Sequence, residues 1–293
     1  MFFLESYLEN LMHLISSPKK MQELALSLKR KSKKISYVPT MGALHQGHLS
    51  LVKMAVRLGD LVVASIFVNP AQFGPKEDFK KYPRDLKKDK ELLQKAGCDL
   101  IFAPSIKDIY PEGYLTYMEV EELSQKLEGA SRPGHFKGVC TIVAKLFNLV
   151  QPDFAIFGQK DAQQAIIIKK MTEDLNFPVR IIVSPTVREK DGLACSSRNS
   201  YLYPEERTQA KVLYQALKLG EKLIKAGEKS PKKIVNKMRE LIYKEKLARI
   251  DYIALIDTEK LESVKIIKGE ILLSLAVKFG KTRLIDNLKL KAN

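Results

Sequence analysis

The chain has 293 residues, of which 45% are apolar and 29% charged, with 15 Gly and 13 Pro. This composition can bury a substantial core, which excludes collagen-like, disordered and disulfide-scaffold classes, and the length suits one large domain or two. The three cysteines are widely spaced and form no Cys-x-x-Cys pair. Their spacing favours reduced thiols in a cytosolic protein over a zinc or disulfide site.

The net charge of +16 is distributed unevenly along the chain. Residues 1–200 carry 29 basic and 22 acidic side chains, whereas residues 201–293 carry 21 and 12. Such an excess attracts RNA, membranes or phosphorylated ligands. We favour lysines that solvate the outer faces of helices over a nucleic-acid surface as the explanation, and the run KRKSKK at residues 29–34 suits a helix C-terminus in the same way.

The first fifteen residues, MFFLESYLENLMHLI, are apolar but do not form a secretion signal. Glu5 and Glu9 interrupt the stretch, no Lys or Arg precedes it, and no small-residue cleavage site follows. No later window reaches the roughly 18 uninterrupted apolar residues of a membrane span. The sequence therefore predicts a soluble, unexported, cytoplasmic protein.

Residues 35–200 alternate short apolar runs with longer amphipathic ones, which predicts β-α-β units around a parallel sheet. The predicted strands are 35–38, 61–68, 100–103, 154–157 and 179–183. The predicted helices are 48–58, 84–96, 138–150 and 161–175. We therefore expect an α/β fold built around a parallel sheet.

The pattern changes after Ser184-Pro185. Two lysine-rich helical segments, near 204–226 and 231–247, precede strands near 251–257 and 270–278. Helices followed by strands indicate a smaller α+β unit. We therefore divide the chain into domains 1–185 and 186–293.

The most informative segment is VPTMGALHQGH, residues 38–48, where a predicted strand ends and a helix begins. An open α/β sheet binds ligands beyond the carboxyl ends of its strands, and the first amides of a helix suit a phosphate. His45 and His48 lie three residues apart on one helical face. They could be metal ligands, although no third ligand has matching spacing, or structural residues, or donors to nucleotide phosphates.

The motif His-x-Gly-His resembles the HIGH-like signature of the nucleotidylyltransferase superfamily, and the longer PTMGALHQGH resembles the pantoate–β-alanine ligases. The resemblance implies a Rossmann-like domain that binds ATP and pantoate, followed by a smaller α+β lid domain. It implies that ATP activates pantoate as an adenylate, releasing pyrophosphate, and that β-alanine then displaces AMP. It also implies Mg²⁺ and a cytoplasmic homodimer with neither nucleic acid nor membrane as a partner.

Further blocks of the sequence resemble the family in order and at compatible spacing. FVNPAQF at 67–73, FGQKDAQQ at 157–164 and CSSRN at 195–199 would follow strands or the domain boundary. Taken alone, Gln72 is either a solvated loop residue or a contact of a polar ligand, and Lys160 is either exposed or a neutraliser of phosphate charge. SRPGHFKG at 131–138, with Arg132 and His135, and TRLIDN at 282–287 also match, the second as a structural motif.

The resemblance assigns site residues by their position in these blocks. The expected ATP contacts are Met41, Gly42, Ala43, Leu44, His45, Gln46, Gly47, His48, Gly158, Gln159, Lys160, Asp161, Val187, Cys195, Ser196, Ser197 and Arg198. The expected pantoate and β-alanine contacts are Gln72 and Gln164, and the expected catalytic residues are His48, His45, Lys160 and Arg198. The resemblance also suggests Asp89 as a metal ligand, but relatives can carry adjacent Asp residues where this chain has Lys88-Asp89, which argues against direct ligation.

Two other classes of function compete with this interpretation. Another adenylate-forming enzyme with a HIGH-like motif, such as one that loads an amino acid onto tRNA, would need an RNA-reading domain, for which the residues after 185 leave little room. A non-catalytic RNA-binding module would use the basic final third and would bind RNA in a salt-sensitive manner. It would leave the histidine pair unexplained.

Overall fold

The computed structural model describes residues 12–75 and 77–292, so most of the apolar N-terminal stretch lies outside the described residues. The chain divides into two compact units. The first runs up to Gly158 and includes Ile167–Ser184, and the second contains Gln159–Ile166 together with the residues from Pro185 onward. The sequence-based division at 185 had left Gln159–Ile166 with the first domain.

The first unit contains a parallel sheet, which has six strands among the described residues. Its strands, in chain order, are β1 (His13–Ile15), β2 (Ile35–Thr40), β3 (Leu61–Ile66), β4 (Leu100–Phe102), β5 (Phe154–Gly158) and β6 (Arg180–Ser184). They lie in the order β1-β4-β3-β2-β5-β6, and every pairing is parallel. The predicted α/β fold class is confirmed.

Helices connect these strands. They are α1 (Pro18–Arg30), α2 (Gln46–Val56), α3 (Leu86–Ala96), α4 (Ile106–Ile109), α5 (Glu128–Ser131), α6 (His135–Val150) and α7 (Ala162–Asp174). Short 3-10 turns form at Pro70–Gln72, Leu123–Gln125 and Gln159–Asp161. Parallel strands with helices on their connections are buried on both faces, which explains why all but one residue of β2 and of β3 are buried.

The core of the first unit joins α2 to the sheet. Val38 of β2, Ala64 of β3 and Ile101 of β4 lie in one buried cluster with Leu51 and Val52 of α2. Leu51 and Val52 are also buried together with Ala55, at the spacing expected of a helix face that packs on a sheet. Packing on the sheet thus fixes the axis of α2 and the position of its N-terminus.

The second unit has helices on one side and an antiparallel sheet on the other. The 3-10 turn Ser197–Tyr201 precedes the helices α8 (Pro204–Ala210), α9 (Val212–Lys225) and α10 (Pro231–Ile242), which are followed by the strands β7 (Ala248–Asp257), β8 (Gly269–Phe279) and β9 (Thr282–Ala292). Leu217 of α9, Met238 of α10 and Leu273 of β8 share its buried core. This unit is the predicted smaller α+β unit. None of the helices in the described part of the chain has the length and apolar character needed to cross a bilayer.

Candidate functional site

The turn that follows β2 lies where the order of the strands reverses. Strands β3 and β4 extend the sheet on one side of β2, whereas β5 and β6 extend it on the other. In open α/β sheets a ligand binds in the crevice beyond the carboxyl ends of the strands at such a reversal. Residues 41–45 occupy this position, between the end of β2 and the start of α2.

The two histidines of this turn cap the N-terminus of α2 through their Nδ1 atoms. His45 is the N-cap residue, and its Nδ1 accepts the N–H of Gly47 at 3.1 Å. The Nδ1 of His48 accepts the N–H of His45 at 3.4 Å, and the two rings lie 4.0 Å apart between centroids. An imidazole that accepts at Nδ1 carries its proton at Nε2. The backbone therefore fixes both rings as Nε2–H donors at a helix N-terminus, where partial positive charge gathers.

Thr40 and Asp89 accept hydrogen bonds from the backbone of the same turn. The N–H of Gly42 donates to Thr40 Oγ1 at 3.1 Å. The N–H groups of Ala43 and Leu44 donate to the two carboxylate oxygens of Asp89, each at 2.9 Å. Burial raises the pKa of Asp89, and these two backbone hydrogen bonds oppose the increase.

The structure gives no support to Asp89 as a magnesium ligand. Each of its oxygens already accepts a backbone N–H, and the residue is 2% exposed. Mg²⁺ is usually held by carboxylates together with several waters and substrate phosphates. Among residues 12–75 and 77–292, no group of three or more His, Cys, Asp or Glu side chains could hold a metal ion. The side chains in this described part of the chain therefore do not fit a resident metal.

Gln72 lies in a polar network that is almost entirely buried. Asn69, 1% exposed, donates its Nδ2 to Gln72 Oε1 at 3.1 Å and to the carbonyl oxygen of Gly138 at 3.0 Å. Gln72 Nε2 lies 3.0 Å from Met41 Sδ, and the Tyr110 hydroxyl donates to Asn69 Oδ1 at 2.8 Å. The Gln72 side chain is thus buried, accepts a hydrogen bond from Asn69 and contacts Met41. The interpretation of Gln72 as a solvated loop residue is wrong.

The backbone of Gln72 is held by a second group of side chains. Arg132 makes a bidentate pair with Glu77, with Nε–Oε1 and Nη2–Oε2 distances of 2.6 Å. Its Nη1 donates to His135 Nε2 at 3.0 Å, while His135 Nδ1 donates to the carbonyl oxygen of Gln72 at 2.8 Å. Partial burial raises the pKa of Glu77, but the hydrogen bonds and charge of Arg132 outweigh it and leave the pKa below its usual value. Arg132 and His135, whose roles the sequence left open, therefore contact the Gln72 turn.

His135 is expected to make stability depend on pH, because burial first and the charge of Arg132 second lower its pKa from 6.5 to about 4. Well above pH 6.5 the folded and unfolded chains both hold a neutral imidazole. As the pH falls towards 4, the unfolded chain takes up a proton that the folded chain does not, so the free energy of unfolding decreases by up to about 3 kcal/mol. Denaturant unfolding of the wild type and His135→Asn at pH 7, 5.5 and 4.5 measures this, and parallel pH profiles would contradict it.

In the second unit, the segment after β5 is held by the C-terminal motif. Asn287 donates its Nδ2 to the carbonyl oxygens of Gln159 and Lys160, both at 2.9 Å, and accepts from Gln159 Nε2 at 2.9 Å. Lys160 Nζ lies 3.4 Å from Asp161 Oδ1. Gln164 follows on the first turn of α7 and is partly exposed. The closing motif thus positions the backbone of two predicted ATP contacts.

The same motif holds the loop that contains residues 187–198. Asp286, 1% exposed, pairs in a bidentate manner with Arg188 at 2.6 and 2.9 Å. The N–H of Cys195 donates to the carbonyl oxygen of Val187 at 2.9 Å, while Ser196 Oγ accepts the N–H of Arg198 at 3.3 Å. Ser197 begins the following 3-10 turn. The guanidinium of Arg188 is thus paired with Asp286 of the closing motif.

Comparison with known proteins identifies the family. Residues 13–289 match the family model described as pantoate-beta-alanine ligase. The chain belongs to the pantoate–β-alanine ligase family. It is 56% identical to the pantothenate synthetase of Thermoanaerobacter sp. (strain X514), over 89% of this chain and 92% of that protein, and 53% identical to that of Moorella thermoacetica, over 96% and 100%.

Solved structures show the same relationship. Pantothenate synthetase from Thermus thermophilus superposes with a TM-score of 0.90 at 46% identity, covering 94% of this chain and 99% of that chain. The pantoate-beta-alanine ligase of Francisella tularensis, complexed with beta-gamma ATP and beta-alanine, gives a TM-score of 0.77 at 37% identity, covering 95% and 97%. The resemblance seen in the sequence is confirmed.

Proposed function

We propose that the chain, an ATP-dependent ligase of pantoate and β-alanine, forms its amide in two half-reactions through a pantoyl adenylate. In the first, a carboxylate oxygen of pantoate attacks the α-phosphorus of ATP, and the bond to the pyrophosphate oxygen breaks. In the second, the β-alanine nitrogen attacks the acyl carbon, the bond to AMP breaks, and the nitrogen loses a proton. Amide formation from free ions in water is uphill, so the acid has to be activated first.

The observation that carries this proposal is the pair of capping imidazoles at the N-terminus of α2. A carboxylate must approach a triphosphate that is itself strongly negative, and charge then spreads over the phosphoryl oxygens. Donors fixed before the reaction stabilise that charge without reorganising, and each contributes about 10² to 10³ in rate. We assign the Nε2–H groups of His45 and His48, with the first amides of α2, to the α-phosphate.

The remaining site residues are assigned by their position in the family blocks. Lys160 and Arg198 are proposed to contact the other phosphates. Met41–His48, Gly158–Asp161, Val187 and Cys195–Arg198 are proposed to form the ATP site, many of them through the backbone. Gln72 and Gln164 are proposed to bind pantoate, and the buried amide network around Gln72 supports the first of these assignments.

The second half-reaction depends chiefly on positioning. AMP is a good leaving group, but the free amine of β-alanine is scarce at neutral pH because the pKa of its ammonium resembles that of lysine. Holding the amine against the acyl carbon replaces a bimolecular encounter, which is worth several powers of ten in effective concentration. We assign no general base to this step.

We also propose the source of the magnesium ion, the oligomeric state and the cellular compartment of the enzyme. Magnesium is proposed to arrive bound to ATP as part of the substrate, since the described protein groups do not fit a resident metal. The enzyme is proposed to act as a cytoplasmic homodimer without a nucleic-acid or membrane partner. Cys98 and Cys140 are buried thiols, which suits a reducing compartment.

Three measurements test the proposal against its rivals. AMP release and ATP–pyrophosphate exchange are measured with pantoate alone, with pantoate and β-alanine, and with other carboxylic or amino acids, and RNA binding is measured at low and high salt. We expect pantoate alone to support ATP–pyrophosphate exchange and β-alanine to be needed for multiple turnovers of AMP. Exchange that depends on an α-amino acid would indicate a tRNA-charging type of enzyme, and salt-sensitive RNA binding without turnover would indicate the RNA-binding module.

A further inference from the structure

Asp89 is the one carboxylate, among the described residues, that accepts backbone hydrogen bonds from the turn after β2. It lies on α3, more than forty residues from the turn in sequence. Its Oδ2 accepts the N–H of Ala43 and its Oδ1 accepts the N–H of Leu44, both at 2.9 Å. Both oxygens thus bind the backbone immediately before the N-cap residue His45.

The conformation of this turn explains why it needs an anchor. Gly42 and Ala43 both have positive φ, +80° and +50°, and for Ala43 this conformation is unfavourable. Consecutive residues of this kind leave their amides without partners in a strand or a helix, and buried amides without partners are costly. Asp89 supplies the missing acceptors, so its carboxylate stabilises a conformation that the backbone would not keep alone.

Gly42 leaves room for this contact because it has no side chain. A Cβ atom built on Gly42 would lie 2.8 Å from Asp89 Oδ2 and 3.1 Å from Ile66 Cγ2. Real Cβ atoms essentially never approach another atom so closely, so the carboxylate can reach the turn only because residue 42 lacks a side chain. The contact therefore depends both on the carboxylate of Asp89 and on the absence of a side chain at position 42.

We propose that Asp89 is a positioning residue that fixes the backbone of residues 43 and 44, and through it the orientation of His45 and His48, rather than a metal ligand. This inference rests on the proposed role of the two histidines at the α-phosphate. A carboxylate 2% exposed, with both oxygens accepting amides, holds the turn whether or not magnesium is bound. Its loss weakens nucleotide binding itself.

Asp89→Asn tests the proposal, because the amide group replaces one acceptor oxygen with an N–H donor that faces a backbone N–H. Asp85→Asn is the matched control: it removes the same charge from the same helix, and Asn is also a good N-cap residue. Binding of ATP is measured by calorimetry in EDTA, and pantoate-dependent ATP–pyrophosphate exchange is titrated with Mg²⁺. For Asp89→Asn we expect ATP binding about tenfold weaker or worse without metal, and a lower exchange plateau at an unchanged half-saturating Mg²⁺ concentration.

The opposite pattern would overturn the proposal: unchanged binding of ATP in EDTA, with a several-fold higher half-saturating Mg²⁺ concentration and a plateau restored by excess metal. Gly42→Ala provides a second test if Asp89→Asn does not fold, because its Cβ atom displaces the carboxylate and strains the turn at a φ of +80°, yet every side chain that could bind metal is kept. It should reproduce the loss of metal-free ATP binding.

Amide hydrogen exchange of residues 41–48 in the wild type tests the anchor independently of the proposed function. Slow hydrogen exchange of the Ala43 and Leu44 amides supports the anchor even if the protein shows no ATP–pyrophosphate exchange. Fast hydrogen exchange of these amides refutes it.

Discussion

His48→Ala is expected to abolish pantoate-dependent ATP–pyrophosphate exchange while leaving the protein folded. The substitution removes an Nε2–H donor proposed to lie at the α-phosphate, and the loss of one such fixed donor costs about 10² to 10³ in rate. It also removes the acceptor for the His45 N–H. That hydrogen bond caps one helix end and is worth about 1 kcal/mol, which lowers stability without unfolding a chain of this size.

Two further substitutions separate the two functions of the His48 ring. His48→Asn can keep an acceptor near the position of Nδ1 but has no donor at the position of Nε2. It should therefore recover the stability lost in His48→Ala but not the ATP–pyrophosphate exchange. His48→Gln reaches the position of Nε2 with a donor and should recover part of the exchange rate. Exchange rates are measured together with thermal unfolding. A His48→Ala enzyme with native exchange would remove His48 from the mechanism.

The regular elements of the fold could be predicted because they are encoded locally. The apolar runs of β2 through β6 and the periodic patterns of α2, α3 and α7 place these elements to within a few residues of their observed bounds. Strand β9 was not predicted. Its sequence TRLIDNLKLKA intersperses apolar residues with polar and charged ones, including Lys289 and Lys291, and resembles a solvated segment. Only its pairing with β8 along eleven residues shows that it completes a sheet.

The candidate site could be predicted only where its residues are adjacent in sequence. The glycines and histidines of residues 42–48 identify a ligand-binding turn by their spacing alone. The partners that hold this turn and the Gln72 turn come from distant parts of the chain, as in the contacts of Asp89 with Leu44 and of His135 with Gln72. Such contacts depend on how the strands are ordered, and a single sequence does not specify that order.

The closing motif illustrates the same limit in the second unit. The sequence alone indicates only a structural part for Asp286 and Asn287, because nothing local connects them to residues 159–188. The structure shows that Asn287 holds the carbonyl groups of Gln159 and Lys160 and that Asp286 holds Arg188. These residues have a structural part, as expected, and the backbone that they hold belongs to the proposed ATP contacts.

Gly138→Ala is expected to damage the use of pantoate through the backbone of the Gln72 turn. A Cβ atom at position 138 would lie 2.2 Å from the carbonyl oxygen of Ala71 and 2.5 Å from the backbone nitrogen of Gln72. These are backbone atoms and cannot rotate away, so either α6 or the turn must move. Replacing Gly by Ala inside a helix normally stabilises it by about 0.5 to 1 kcal/mol. Here overpacking should reverse the sign, with a loss of about 1 to 3 kcal/mol.

The kinetic defect should follow from the displaced turn. Gly138 also supplies the carbonyl oxygen that accepts from Asn69, so moving it disturbs the side chain that orients Gln72. We expect the KM for pantoate to rise at least about tenfold, with a smaller change in the KM for ATP. Gln72→Ala, which removes the amide and leaves the backbone in place, should show the same selectivity with less loss of stability.

Gly74→Ala is the matched control for this experiment. Gly74 lies in the same loop, and a Cβ atom there would make only ordinary contacts with Glu77, at 3.7 and 3.8 Å. Steady-state kinetics with pantoate and ATP varied separately, together with denaturant unfolding, distinguish the three variants. If Gly138→Ala affected only the ATP dependence, or matched Gly74→Ala in both measurements, the close packing of α6 on the Gln72 turn would have no part in the use of pantoate.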